Sequence, residues 1–212
     1  VAEEQKMVAN MWVYSGKYVD VLNITPEDIT LKDIAIPLSR LNRFNGHTKH
    51  PWTVGDHSLL CLRIYHENKE KIAREYEEGI DPIVELLILT HDASEAYLGD
   101  VINPLKHNGE YDFYRELEYK TQIVILEAMG LDGYMLHAMH AEYVKSFDMK
   151  ALSLECNKFL RNIPKELVQE YDVPFLEYTG HFRHDEQIAS IYEENVKRLI
   201  KEIGCIPSPM FM

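Results

Sequence analysis

Apolar and polar positions alternate in distinct ways along this chain. Residues 11–22 carry two β-prone runs around Ser15-Gly16, a turn signal, and this predicts a small hairpin. From Thr30 to about Leu41, the residues Leu31, Ile34, Ala35 and Leu38 recur at helical spacing. Thr30 is a natural N-cap with Asp33 three positions on, and Pro37 predicts a kink or an early end. Residues 43–53, RFNGHTKHPWT, read as a polar loop. Thr53 or Asp56 caps a helix running to about Asn68. Residues 82–98 predict a further helix whose Ile83, Val84, Leu86, Leu87, Ile88 and Leu89 are nearly continuous, the mark of a buried helix. Helices are also expected over 111–129, stopped by Gly130, over 133–162 as one or two segments ending before Pro164, and over 184–203, stopped by Gly204. The fold class is therefore all-α, a helical bundle with a small N-terminal β-hairpin.

Length and composition narrow this picture without changing it. The 212 residues suit one domain, since no repeat, low-complexity tract or Gly/Ser linker divides them. The working division is a core over 30–162, a hairpin at 11–22 and a C-terminal helical extension over 163–212. The net charge of −13 disfavours a nucleic-acid polymer as partner, because a duplex binder needs a basic face. A small phosphate compound needs only a few local cations. Cys61, Cys156 and Cys205 are far apart and form no CxxC pair, which reads as reduced thiols in a cytoplasmic protein. No apolar run is long enough for a membrane span, and the opening VAEEQK does not read as a signal peptide.

The chemistry concentrates in LLILTHDASEAYLGD (86–100), where an apolar helix gives way to His91, Asp92, Glu95 and Asp100. A His-Asp pair at the end of a buried helix is unfavourable unless its charge and donors are satisfied. A divalent cation satisfies both. His91 and Glu95, four residues apart, are expected on one helical face. That puts Glu95 near the ion as a general base or as an orienter of water. His57 lies near the start of a capped helix. Asp148 stands mid-helix among Tyr143, Val144, Phe147 and Leu152, where an acid needs a partner. His57, His91, Asp92 and Asp148 together make a candidate mononuclear centre with open positions. A buried His-Asp hydrogen bond, an N-terminal-turn histidine and a solvent-facing aspartate are the plainer structural alternatives.

The order His57, His91-Asp92, Asp148 resembles the H…HD…D signature of the HD superfamily of metal-dependent phosphohydrolases. HDASEAYLGDVINPLK (91–106), RFNGHT (43–48) and VKSFD (144–148) resemble its 5′-deoxynucleotidase branch. The resemblance covers about residues 30–162. It implies an HD-domain helical bundle that hydrolyses deoxynucleoside phosphates with one divalent ion: Zn, Co, Mn, Fe or Ni. Carried over, Glu95 is the acid acting on the attacking water, and Asp100 a second acid contacting substrate or aiding proton transfer. Arg43, Lys106 and Lys145 become the cations facing the phosphates. Phe44 stands where some members carry Trp. Compact phage enzymes resembling the RFNGHT loop release triphosphate from deoxynucleoside triphosphates, which tips the expectation that way; dNMP hydrolysis is the alternative. Relatives of this kind imply a homo-oligomer. His137 and His140 leave open a diiron oxygenase reading, and a non-catalytic nucleotide sensor is a third class. His47, His50, His66, His107, His181 and His184 read as loop or surface groups, and Trp12 and Trp52 as packing.

Overall fold

The computed structural model describes residues 8–68, 81–163 and 184–212. The expectations for VAEEQK, Pro164 and His181 lie outside the described residues, as does part of the C-terminal extension. What is described is mostly helical, with one antiparallel hairpin near its start. Strands β1 (Asn10–Trp12) and β2 (Tyr18–Asp20) pair with Trp12 opposite Tyr18. Gly16 closes the turn at φ 86°, a left-handed conformation that glycine adopts without a Cβ penalty. The Ser15 amide and hydroxyl donate to the Asp33 carboxylate at 2.6 and 2.8 Å, which ties the turn to the next helix.

Helix α1 (Leu31–Leu38) starts where expected: Thr30 accepts from the Asp33 amide at 3.1 Å. It ends one residue after Pro37, whose missing N–H removes the helical bond to the Asp33 carbonyl. The predicted positions Leu31, Ile34, Ala35 and Leu38 are its buried apolar face. The loop after it is closed at its base by the Asn42–Thr53 bridge and by the Arg43 amide donating to the Trp52 carbonyl at 2.9 Å. Thr53 and Asp56 form a full capping box on α2 (Val54–Glu67). Asp81 and Pro82 start α3 (Pro82–Thr90), and Val84 through Leu89 are buried as the continuous apolar run predicted.

The helix expected over 82–98 is not continuous. It stops at Thr90, turns through residues 91–94 and resumes as the short α4 (Glu95–Leu98). Side chains replace the backbone ladder at the break. Gln122 donates to the Thr90 carbonyl at 2.7 Å and accepts from the Ser94 amide at 3.2 Å. The His91 ring donates from Nδ1 to the Ile88 carbonyl at 2.8 Å. His91 and Glu95 are therefore not two positions on one helical face. His91 and Asp92 belong to a turn, and Glu95 opens the following helix.

A short α5 (Asn103–Lys106) leads to α6 (Asp112–Ala128), then to α7 (Gly133–Phe159), a single helix where one or two were expected. Gly130 separates α6 from α7 at φ 83°, and a Cβ there would sit 2.3 Å from the Ile206 carbonyl oxygen. Helix α8 (Asp185–Ile203) ends at left-handed Gly204. Its Ala189, Tyr192, Val196, Leu199 and Ile200 join Leu31, Ile34, Leu38, Leu86 and Leu89 in the main apolar cluster. A smaller cluster, Cys61, Ile64, Tyr65, Val84, Ile88, Phe147 and Ala151, joins α2, α3 and α7. Among the described residues no helix is long and apolar enough to cross a membrane.

Candidate metal centre

Helix α2, the turn after α3 and the middle of α7 meet at one point. His57 comes from the second turn of α2, His91 and Asp92 from the break, and Asp148 from α7. His57 Nε2 lies 3.3 Å from His91 Nε2, 3.2 Å from Asp148 Oδ1 and 3.6 Å from Asp92 Oδ2. His91 Nε2 lies 3.1 Å from Asp92 Oδ2. All four candidate ligands are thus brought together. Asp148 is turned inward, not out to solvent, and His57 is fully buried.

The hydrogen bonds on the far sides of the rings fix the tautomers. A carbonyl and an ionised carboxylate can only accept, so His91 donates from Nδ1 to Ile88 and His57 donates from Nδ1 to Glu155 Oε1 at 2.7 Å. In the neutral rings both Nε2 atoms carry lone pairs, and these face each other and two carboxylates. Such a cluster needs positive charge. Burial and the nearby Arg43 act against a charged His57, yet Cys61, Glu155 and Asp148 outweigh them and hold its pKa well above the usual value. Burial likewise acts against ionised Asp92 and Asp148, but the imidazoles beside them hold both pKa values well below the usual carboxylate range. His57, His91 and the thiol of Cys61, one turn after His57, place ligand atoms within 4.8 Å of one another, a group able to hold a metal ion.

Glu155 was not singled out in the sequence. It is fully buried on α7, two turns beyond Asp148, and accepts from His57, from Trp52 Nε1 at 2.7 Å and from Arg43 Nε at 3.1 Å. Burial would raise its pKa, but the charges of His57 and Arg43 lower it. Its position seven residues after Asp148 on one helix was the available signal. Trp52 packs, as expected, against Phe159 at 4.4 Å between ring centroids, and also donates to this carboxylate.

Arg43 lies with its Nη1 3.5 Å from Asp92 Oδ2. Burial would lower its pKa, and Glu155 and Asp92 raise it further than burial lowers it. Lys145 pairs with Asp148, and Lys106 Nζ sits 3.0 Å from Glu95 Oε1 and 2.7 Å from Glu118. Glu95 Oε2 is buried without a hydrogen-bond partner among the described residues. Burial and the Asp92 charge hold the Glu95 pKa well above the usual value, against the pull of Lys106. Burial also raises Asp100, in spite of Arg43 and Lys106.

A cavity of about 270 Å³ collects Arg43, Asp92, Glu95, Asp100, Lys106, Lys145 and Asp148 on one wall system. A second, of about 320 Å³, shares Asp92, Lys106, Lys145 and Asp148 with it. It is lined by Leu87, Tyr119, Leu126, Leu136 and Val144, with Arg115, His137 and His140. His137 and His140 line this cavity but are not part of the His57–Cys61–His91 group.

No model of a known protein family matches the chain. It is 34% identical over 122 residues to the uncharacterized protein YfdR of Escherichia coli, an overlap of 58% of this chain and 59% of that protein. It is 38% identical over 146 residues to the uncharacterized protein RCAP_rcc00048 of Rhodobacter capsulatus, covering 68% of this chain and 69% of that protein. The chain thus spans less than two thirds of the length of YfdR and somewhat more of its second relative.

Proposed function

The chain belongs to the same family as its Rhodobacter capsulatus relative, and we propose that it is a metal-dependent phosphohydrolase of the HD class acting on deoxynucleoside phosphates. The observation that carries this reading is the convergence of two imidazole Nε2 atoms and two carboxylates on one point, beside a cavity with three cations. His57, His91, Asp92 and Asp148 would hold the ion. Their chemistry suits a borderline divalent cation such as Zn, Co, Mn, Fe or Ni. A divalent ion bound there supplies Lewis acidity and lowers the pKa of a coordinated water toward neutrality.

The chain's own groups do the rest. Arg43, Lys106 and Lys145 bind phosphoryl oxygens and stabilise the charge that develops on them, in a partly buried site where such charges act strongly. Glu95 is suited to take a proton from the attacking water. Its Oε2 is free, its Oε1 is anchored by Lys106, and a raised pKa makes it a better base than an ordinary glutamate. Asp100, in the same cavity, contacts the substrate or passes the proton on. The larger of the two cavities sets Leu87, Leu126, Leu136, Val144 and the ring of Tyr119 among polar groups such as Ser94, Asn103 and Gln122, a mixed lining that suits a base and a sugar. A triphosphate uses three cations more fully than a monophosphate does, so deoxynucleoside triphosphates are the first substrates proposed, with dNMPs second.

The test is product analysis by ion-exchange chromatography after incubating metal-loaded protein with dNTPs and dNMPs, with an EDTA control. Triphosphate plus deoxynucleoside from a dNTP is the expected result. Orthophosphate from dNMPs alone would make the protein a 5′-deoxynucleotidase. No turnover with any ion would refute the reading.

A further inference from the structure

Cys61 sits one helical turn after His57 and is fully buried. The half-buried Cys205 donates its thiol to the Met129 carbonyl at 3.2 Å. Cys61 Sγ instead lies 3.6 Å from His57 Nε2, on the same side as His91. Ligand geometry gives that spacing a meaning. A zinc-like ion bonds nitrogen at about 2.0–2.1 Å and sulfur at about 2.3 Å, so adjacent donors about 109° apart at the ion are roughly 3.3–3.4 Å apart for two nitrogens and roughly 3.6 Å for nitrogen and sulfur. The observed His57–His91 and His57–Cys61 separations are 3.3 and 3.6 Å. The thiol thus has a ligand's spacing from His57 and lies within 4.8 Å of the His91 ligand atom. An independent observation points to the same spot: both imidazoles spend their Nδ1 atoms on other partners and turn their Nε2 atoms toward it.

We propose that Cys61 Sγ is a direct ligand of the ion held by His57 and His91, and that its thiolate selects thiophilic ions such as Zn²⁺ and Co²⁺ over Mg²⁺ and Mn²⁺. This rests on the metal-centre reading above and adds a donor to it. On binding, the S–H bond breaks, its electron pair forms the metal–sulfur bond and the proton leaves to solvent. Soft thiolate ligands favour soft and borderline cations, whereas a centre of imidazole and carboxylate alone accepts harder ones. Asp92 and Asp148 flank the same pair of rings at 3.1 and 3.2 Å, so the thiol joins the carboxylates and does not displace them.

The test uses the full chain, stripped with chelator and titrated with Co²⁺, with metal content measured alongside the absorption spectrum. The expected result is one Co²⁺ per chain, visible d–d bands and a near-ultraviolet thiolate-to-cobalt charge-transfer band. Cys61→Ser should bind Co²⁺ without that band and lose preference for Zn²⁺ over Mn²⁺ in competition. A Cys156→Ser, Cys205→Ser double variant should keep the band. If wild-type protein binds one Co²⁺ with d–d bands and no charge-transfer band, Cys61 is a packing residue and the proposal fails, whether or not Cys61→Ser folds. A band that survives Cys61→Ser also overturns it. Absence of any Co²⁺ binding would instead overturn the metal-centre reading itself, a different and recognisable outcome.

Discussion

Helices α2 and α3 carry two clusters of the same residue types, and they are built to opposite ends. Toward the outer end, Glu85 Oε2 takes His66 Nε2 and Arg198 Nη2, each at 3.0 Å, and Arg198 turns its other nitrogen to Glu202. Every charge there meets its complement, and the cluster fastens α8 to α2 and α3. At the inner end, His57 and His91 turn their Nε2 atoms to each other and to Asp92 and Asp148. The first cluster is electrostatically closed. The second crowds the His91 Nε2 atom and two carboxylates within 3.6 Å of His57 Nε2 in a buried position, with Arg43 and Lys145 on the carboxylates, an arrangement that leaves one point lined by ligand atoms. A histidine beside carboxylates therefore says little by its presence. Which ring nitrogen already has a partner, and what the other one faces, separates a structural ion pair from a ligand site.

Breaking the open cluster should have the largest effect. His57→Ala or Asp92→Ala is expected to abolish phosphohydrolase activity while leaving the far-ultraviolet circular dichroism near wild type. Substantial activity in either variant would count against the assignment. Next comes Glu95→Gln, which should keep the metal and lower kcat by about 10²–10⁴, the usual contribution of a general base. If the substitution empties the site instead, Glu95 is a ligand. Glu155→Gln removes the acceptor charge behind His57 without changing its shape, and should weaken metal affinity by roughly 10–100-fold; titration with a competing chelator would read this. An unchanged affinity would mean that Ile88, His91 and the carboxylates suffice to set the centre.

The closed cluster should respond least and differently. Glu85→Gln should leave metal content and activity intact and cost about 1 kcal/mol, because His66 and Arg198 are partly exposed and screened. Burial opposes the ionised Glu85, but His66 and Arg198 lower its pKa below the ordinary 4.5. Its contribution is thus present above the unfolded value and fades as pH falls through the lower folded value. The Tm difference between wild type and Glu85→Gln should shrink below about pH 4. A difference that grows on acidification would reverse the sign argued here.

Local signals carried much of the architecture. Thr30, Thr53, Gly130 and Gly204 marked helix ends because capping and left-handed closure depend on the residue in place. The helix contexts of His57, His91, Asp92 and Asp148, and their resemblance to the H…HD…D order, pointed to residues that lie together. What was not legible is non-local. The break after Thr90 depends on Gln122 of α6 supplying both a donor and an acceptor, which no pattern within 82–98 records. Glu155 reads as an ordinary helical acid until Trp52, Arg43 and His57 close around it. Cys61, four residues after His57, reads as a core thiol because helical periodicity gives both meanings to the same position. The helix at 184–203 was predicted, but its place in the main core follows from packing alone.

The most direct test of the central claim is the metal content of purified, zinc-supplemented protein after gel filtration, measured by inductively coupled plasma mass spectrometry on wild type, His91→Ala and Glu85→Gln. One divalent ion per chain in wild type and Glu85→Gln, with none in His91→Ala, is the predicted result. Equal metal in all three, or none in wild type, would contradict it.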